Sequence, residues 1–146
     1  MNWKQEATEK LQRYTQMQQA AHNIPEELEM LEAAICAIRS ARVDGAAGKG
    51  GGNKREDMLL NNIVKRQELT QTLTQTKQWL GTADRALRTL TPEERLVLQR
   101  MFILPEKGCV SRLCQELGIE QSSVYRKRDQ ALERFTRSLY GALETN

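Results

Sequence analysis

Apolar positions along the chain fall into two regimes, a sparse heptad repeat in the front two-thirds and a denser three- and four-residue repeat in the last third. Ile24, Leu28, Leu31, Ile35, Ile38 and Arg42 step by four and three in strict alternation, the seam of a coiled coil. Ahead of them Ala7, Leu11, Tyr14 and Ala21 form a stripe that Asn23-Ile24-Pro25 interrupts, so a new helix is predicted from Pro25, with Glu26 and Glu27 in its first turn. After the run Gly48-Lys49-Gly50-Gly51-Gly52-Asn53, Leu59, Leu73, Leu80 and Leu87 share one heptad row, broken by Arg66. Leu69, Thr76, Ala83 and Leu90 share the other. Residues 55 to 90 are predicted as one helix, about 50 Å long at roughly 1.5 Å per residue. Residues 1–90 are therefore expected to form a long antiparallel helical hairpin, coiled-coil-like, with a flexible glycine-rich loop at 43–54. A phosphate-loop reading of that loop fails, because Lys49 is followed by Gly50 rather than Ser or Thr and no strand precedes it.

Thr91-Pro92-Glu93-Glu94 opens the second regime. Thr91 caps, Pro92 suits the first helical position and Glu94 completes a reciprocal capping box. The helix it starts carries Leu96, Val97, Met101 and Phe102 towards a core and stops before Pro105, with Pro105-Glu106-Lys107-Gly108 as connector. Val110, Leu113, Cys114 and Leu117 then mark the apolar face of a short helix that Gly118 ends, and Ile119 plugs the corner. A last helix buries Val124, Ala131, Leu132 and Phe135. The fold class expected is all-α, the hairpin being followed by a three-helix helix-turn-helix domain over 91–146. Gln121, Ser122, Tyr125 and Arg126 fall on the opposite, polar side of the last helix. Gln and Arg make bidentate contacts to base edges in a DNA major groove, so these four are the candidate base-reading residues. Arg112, Ser123, Lys127 and Arg128 are the candidate phosphate contacts. The same pattern also occurs in ordinary helical bundles, where that face is merely solvated.

Leu90-Thr91-Pro92-Glu93-Glu94-Arg95-Leu96-Val97-Leu98, then Arg112 to Gly118, then Ser123-Val124-Tyr125-Arg126 and Arg128 to Leu132, ending in Leu139-Tyr140-Gly141, carry a resemblance. The capped helix and helix-turn-helix resemble region four of bacterial sigma factors over roughly the last third of the chain. As a whole the chain resembles the ArpU/RinA-like regulators of bacteriophages and prophages of Gram-positive bacteria, whose long N-terminal helices are interrupted by a glycine-rich loop. The resemblance implies a phage transcriptional regulator, often of late genes, with double-stranded DNA as partner and RNA polymerase as a second candidate partner. Two positions depart from the sigma-like pattern. Glu120 stands at the cap of the recognition helix where Ser or Thr is usual, and Lys127 stands where an apolar residue is usual. Neither removes the polar face.

With 146 residues and a net charge of +3, the chain is only mildly basic, so any DNA affinity must come from local clustering. Arg126, Lys127, Arg128, Arg134 and Arg137 lie in one stretch whose acids are Asp129 and Glu133, although a solvated face with ion pairs such as Glu133 to Arg137 accounts for part of that charge. Three cysteines and a single histidine, His22, lack the spacing of a zinc site. Cys36 and Cys114 are expected on apolar faces, and Cys109 as the exposed thiol. No nucleophile and base pair and no carboxylate cluster stand out, so no enzyme activity, metal or cofactor is expected. Without a signal peptide or long apolar run, the expected location is the bacterial host cytoplasm, away from membranes. The function expected is sequence-specific DNA-binding regulation of transcription, with the hairpin serving homo-oligomerisation, a dimer in the first instance, or polymerase contact. Two alternatives remain: a small terminase subunit for DNA packaging, which would form large rings, and a protein-interaction module that no longer binds DNA.

Overall fold

The computed structural model describes residues 2–43 and 51–140. All regular structure in them is helical: α1 (Trp3–Val43), α2 (Gly51–Arg88), α3 (Pro92–Leu98) with a π-helical turn at Gln99–Ile103, α4 (Cys109–Leu117) and α5 (Gln121–Tyr140). The class is all-α. Of the expected glycine-rich loop at 43–54, residues 44–50 lie outside the described residues, while Val43 closes α1 and Gly51 opens α2.

One expectation fails at Pro25, which lies inside α1 and starts no new helix. Proline removes one N–H and disfavours a helical residue before it. The heptad phase nevertheless runs straight through, with Ala7, Tyr14, Ala21, Leu28 and Ile35 on one row and Met17, Ile24, Leu31 and Ile38 on the other. A helix broken at Pro25 would turn one half of that stripe away from its packing surface, so continuous burial outweighs the lost hydrogen bond.

The residues group into two compact units. Unit 1 comprises Met1–Gln18 and Gln78–Asn146; unit 2 comprises Gln19–Lys77. The sequence reading divides the chain between 90 and 91, whereas this grouping places the first turns of α1 and the last of α2 with the C-terminal helices.

Unit 2 holds α1 from Gln19 to its end and the first two-thirds of α2. Ile24 and Ile35 are buried, Leu28, Leu31 and Ile38 half-buried, and from α2 Asn62 and Thr76 are buried beside half-buried Leu59, Leu69 and Leu73. Asn62 Nδ2 donates to the Leu31 carbonyl at 2.9 Å. Asn62 Oδ1 and Arg66 Nε are buried without a partner among the described residues, so with Thr76 this seam is polar at three points. Cys36 is exposed and Cys109 half-buried, both contrary to the sequence expectation, while Cys114 is half-buried. Cys36 follows Ile35, and one residue turns a helical side chain about 100° away from the buried row.

Unit 1 has two cores. In the first, Ala7 and Leu11 of α1, Ala86 and Leu87 at the end of α2 and Leu90 just after it meet Leu98, Ala131, Leu132 and Phe135. Tyr14 donates its hydroxyl to Asp84, and Thr15 Oγ1 donates to the Ile103 carbonyl at 3.1 Å. The end of α2 is closed by a side chain. Arg95 Nε and Nη2 donate to the Leu87 carbonyl in its last turn and to the Leu90 carbonyl just beyond it, at 3.3 and 3.2 Å. The second core, Val97, Leu113 and Val124, joins α3, α4 and α5 and is lined by Leu96, Met101, Val110, Cys114, Leu117 and Ile119.

Candidate nucleic-acid interface

The site is the N-terminal half of α5, and its placement begins at Thr91. Glu94 N donates to Thr91 Oγ1 at 3.2 Å and Thr91 N donates to Glu94 Oε1 at 3.0 Å, so the capping box is formed. The Glu94 side chain is buried and does a second task. Arg134 Nη1, forty residues on, donates to the same oxygen at 2.9 Å and ties α5 to the start of α3. A buried carboxylate needs such donors, because an unpaired charge out of water is strongly unfavourable.

Helix α3 runs into its π turn, where Leu104 N donates to the Gln99 carbonyl at 2.8 Å. Pro105 then disfavours a helical conformation at Leu104, whose φ and ψ are −128° and 73°. Helix α4 ends at Gly118, with φ 64° and ψ 38°, the left-handed region in which a Cβ would be strained. Ile119 N donates to the Cys114 carbonyl at 3.2 Å, and Ile119 packs against the second core. Two residues later α5 begins, and the Glu120 carbonyl accepts from Ser123 N and Val124 N at 3.0 and 3.1 Å. A short turn between tightly packed helices thus fixes which side of α5 is sealed.

Val124, Ala131, Leu132 and Phe135 take the sealed side, each at most 3% exposed. Gln121, Ser122 and Arg126 are exposed together on the other side of the first two turns. Tyr125, the fourth candidate base reader, is half-buried, with Gln121 Nε2 donating to its hydroxyl at 3.4 Å. Arg126 has no ion-pair or hydrogen-bond partner among the described residues.

Three of the four candidate phosphate contacts are engaged within the chain. Arg112 Nη1 meets Glu106 Oε2 at 2.6 Å, Lys127 Nζ meets Glu93 Oε2 at 2.6 Å, and Arg128 Nη2 meets Asp129 Oδ1 at 3.1 Å. Arg128 also lies over the Tyr125 ring, 4.9 Å from its centroid. Ser123 is half-buried. Lys127, out of place by the sigma-like pattern, is half-buried and uses its ammonium to join α5 to α3. Glu93 and Glu106 were not legible as partners, because thirty-four residues separate Lys127 from Glu93 and no periodicity links them. Exposed pairs of this kind are worth about 0 to 1 kcal/mol each, so a phosphate oxygen competes on comparable terms for the same cations.

Comparison with protein-family models, curated proteins and solved structures found no match.

Proposed function

We propose that this chain is a sequence-specific DNA-binding regulator of transcription of the phage or prophage kind that its sequence resembles, acting in the bacterial host cytoplasm. The observation that carries the reading is the exposed set Gln121, Ser122 and Arg126, the last without a partner among the described residues, presented on the first turns of a helix whose opposite face is sealed against α3 and α4. In this reading α4, the turn at Gly118 and α5 form a helix-turn-helix, and the start of α5 enters the major groove. Arg126 reads guanine through O6 and N7, and Gln121 suits adenine through N6 and N7. Ser122 and Tyr125 offer hydroxyls to single base atoms. Arg112, Ser123, Lys127 and Arg128 hold phosphates, the three cations exchanging carboxylate partners for the DNA backbone. The long helices supply self-association and a surface for RNA polymerase.

One observation favours a second reading, a protein-interaction module. The ion pairs of Arg112, Lys127 and Arg128 leave Arg126 as the unpaired cation of the candidate set among the described residues, and a face so neutralised also suits a protein partner. Selecting bound duplexes from a random DNA pool separates the two. Enrichment of a defined site supports the regulator, its symmetry telling whether one or two heads read it. A pool that stays random after repeated rounds supports the interaction module.

A further inference from the structure

The face of α5 that carries the candidate base readers closes along the helix. At about 100° per residue, Tyr125, Asp129, Leu132 and Thr136 all fall within the arc between Gln121 and Ser122. Gln121 and Ser122 are exposed, Tyr125 and Asp129 half-buried, and Leu132 and Thr136 buried. Helix α1 is part of the cover. Leu132 shares the first core with Ala7 and Leu11, and half-buried Trp3 packs against that core, so within unit 1 the first turns of α1 lie against α5 where its open face ends. Lys4 stands at that edge. Its Nζ is 3.8 Å from Asp129 Oδ2, with 46% and 40% of the two side chains exposed, and Arg128 Nη2 holds the other oxygen of the same carboxylate at 3.1 Å. One carboxylate does not neutralise two cations, so this edge keeps a positive charge. The acids of the same turns point elsewhere, Glu6 and Glu9 lying about 160° and 140° around α1 from Lys4.

We propose that Lys4, on the first turn of α1, is a phosphate contact of the same DNA site, so that the interface takes in the first long helix as well as the C-terminal helices. The inference deepens the function proposed above and rests on its DNA-binding part. Asp129 lies about 12 Å from Gln121 along α5 at about 1.5 Å per residue, beyond the roughly 8.5 Å depth of a major groove. For a helix that enters by its N-terminal end, Asp129 and the Lys4 beside it therefore meet the rim of the groove, where the phosphates run. A bare carboxylate at that rim would repel the backbone. Lysine has three N–H donors, so Lys4 can hold a phosphate oxygen and still face Asp129, which keeps that carboxylate neutralised when Arg128 turns to the DNA.

The test is fluorescence anisotropy of the full chain with a selected and a scrambled duplex over a range of salt concentrations, for the parent, Lys4→Ala, Lys4→Arg and Asp129→Asn. If no site is selected, any duplex serves, since phosphates are common to all. Lys4→Ala is expected to weaken binding to both duplexes alike and to make the log-log salt slope shallower by about one unit. Lys4→Arg is expected to keep the parental slope. Asp129→Asn breaks the same ion pair but leaves Lys4 in place, and is expected to bind both duplexes at least as tightly as the parent. Melting temperatures by circular dichroism are expected near the parent's for all three variants, because an exposed pair contributes little to stability. A parental slope for Lys4→Ala, a loss confined to one duplex, or an Asp129→Asn variant as weak as Lys4→Ala would each overturn the proposal, the last by showing that the pair acts only within the fold. A parental Lys4→Ala slope with the preference for the selected duplex intact counts against this inference alone. Equal affinities for the two duplexes with the Lys4 slope change intact count against base reading alone, and a parent that binds neither duplex at low salt overturns both.

Discussion

Arg126 and Lys127 are neighbours with opposite fates. Arg126 stands exposed and without a partner among the described residues, while Lys127 is half-buried and bonded to Glu93 at 2.6 Å. Their alanine variants are therefore expected to differ in kind. Arg126→Ala should leave thermal stability near parental and remove about 1 to 3 kcal/mol of discrimination at one base pair, as loss of a bidentate guanine contact does. Lys127→Ala should weaken binding to all duplexes alike and lower the melting temperature slightly, since it also breaks a tie between α3 and α5. Competition binding against single-base variants of the selected site, with circular dichroism on both proteins, reads the two effects apart. If Arg126→Ala discriminates as the parent does, the base-reading face is misassigned. At this scale the sequence revealed residue types and faces but not partners. Gln121, Ser122 and Arg126 were legible because a buried row at 124, 131, 132 and 135 fixes the opposite side. The bonds from Arg134 to Glu94 and from Lys127 to Glu93 were not, because they join residues brought close only by packing.

Among the elements, α1 and α2 show how far periodicity carries. Heptad counting located the seam, and counting back seven from Leu69 would have found Asn62, a polar residue at a packing position. Local punctuation misled at Pro25, because a proline is a local signal while the stripe it interrupts spans the whole helix. Cys36 was misplaced for a related reason, an apolar neighbourhood being mistaken for an apolar face. The bond between Tyr14 of α1 and Asp84 of α2 yields a pH dependence. Burial first, then the hydrogen bond to Asp84 and its negative charge, push the Tyr14 pKa from 10.0 up to about 12. The folded value lies above the unfolded one, so the stability contributed by the neutral phenol is complete below about pH 10 and is lost as pH rises from 10 towards 12. Tyr14→Phe is expected to be less stable than the parent at pH 8, by about 1 kcal/mol for a lost hydrogen bond, and the gap should shrink across that alkaline window. Urea denaturation of both proteins at a series of pH values measures the gap. A gap constant through pH 12 would show that the hydroxyl is not held by Asp84.

For the whole molecule, the boundary between repeat regimes near residue 90 is not where packing divides the chain. Leu98, Ala131, Leu132 and Phe135 share a core with Ala7, Leu11, Ala86, Leu87 and Leu90. The sequence could not show this, since each of those apolar residues is equally well explained by its own local stripe. Residues 91–146 alone are thus expected to be markedly less stable than the full chain, because exposing even two of these side chains removes several kcal/mol at about 1.5 to 3 kcal/mol each. Thermal unfolding by circular dichroism tests it, and a fragment as stable as the parent would place the folding boundary at 90 after all.

The central claim is that the face of α5 reads DNA sequence, and salt dependence tests it most directly. Affinity of the full chain is measured by fluorescence anisotropy for a selected duplex and a scrambled one over a range of salt concentrations. The account predicts tighter binding to the selected duplex throughout, with both affinities falling linearly on a log-log plot, since phosphate contacts are shared and base contacts are not. Loss of one phosphate cation, as in Arg128→Ala, should make both slopes shallower by about one unit. Equal affinities for the two duplexes at every salt concentration, or no binding at low salt, would contradict it.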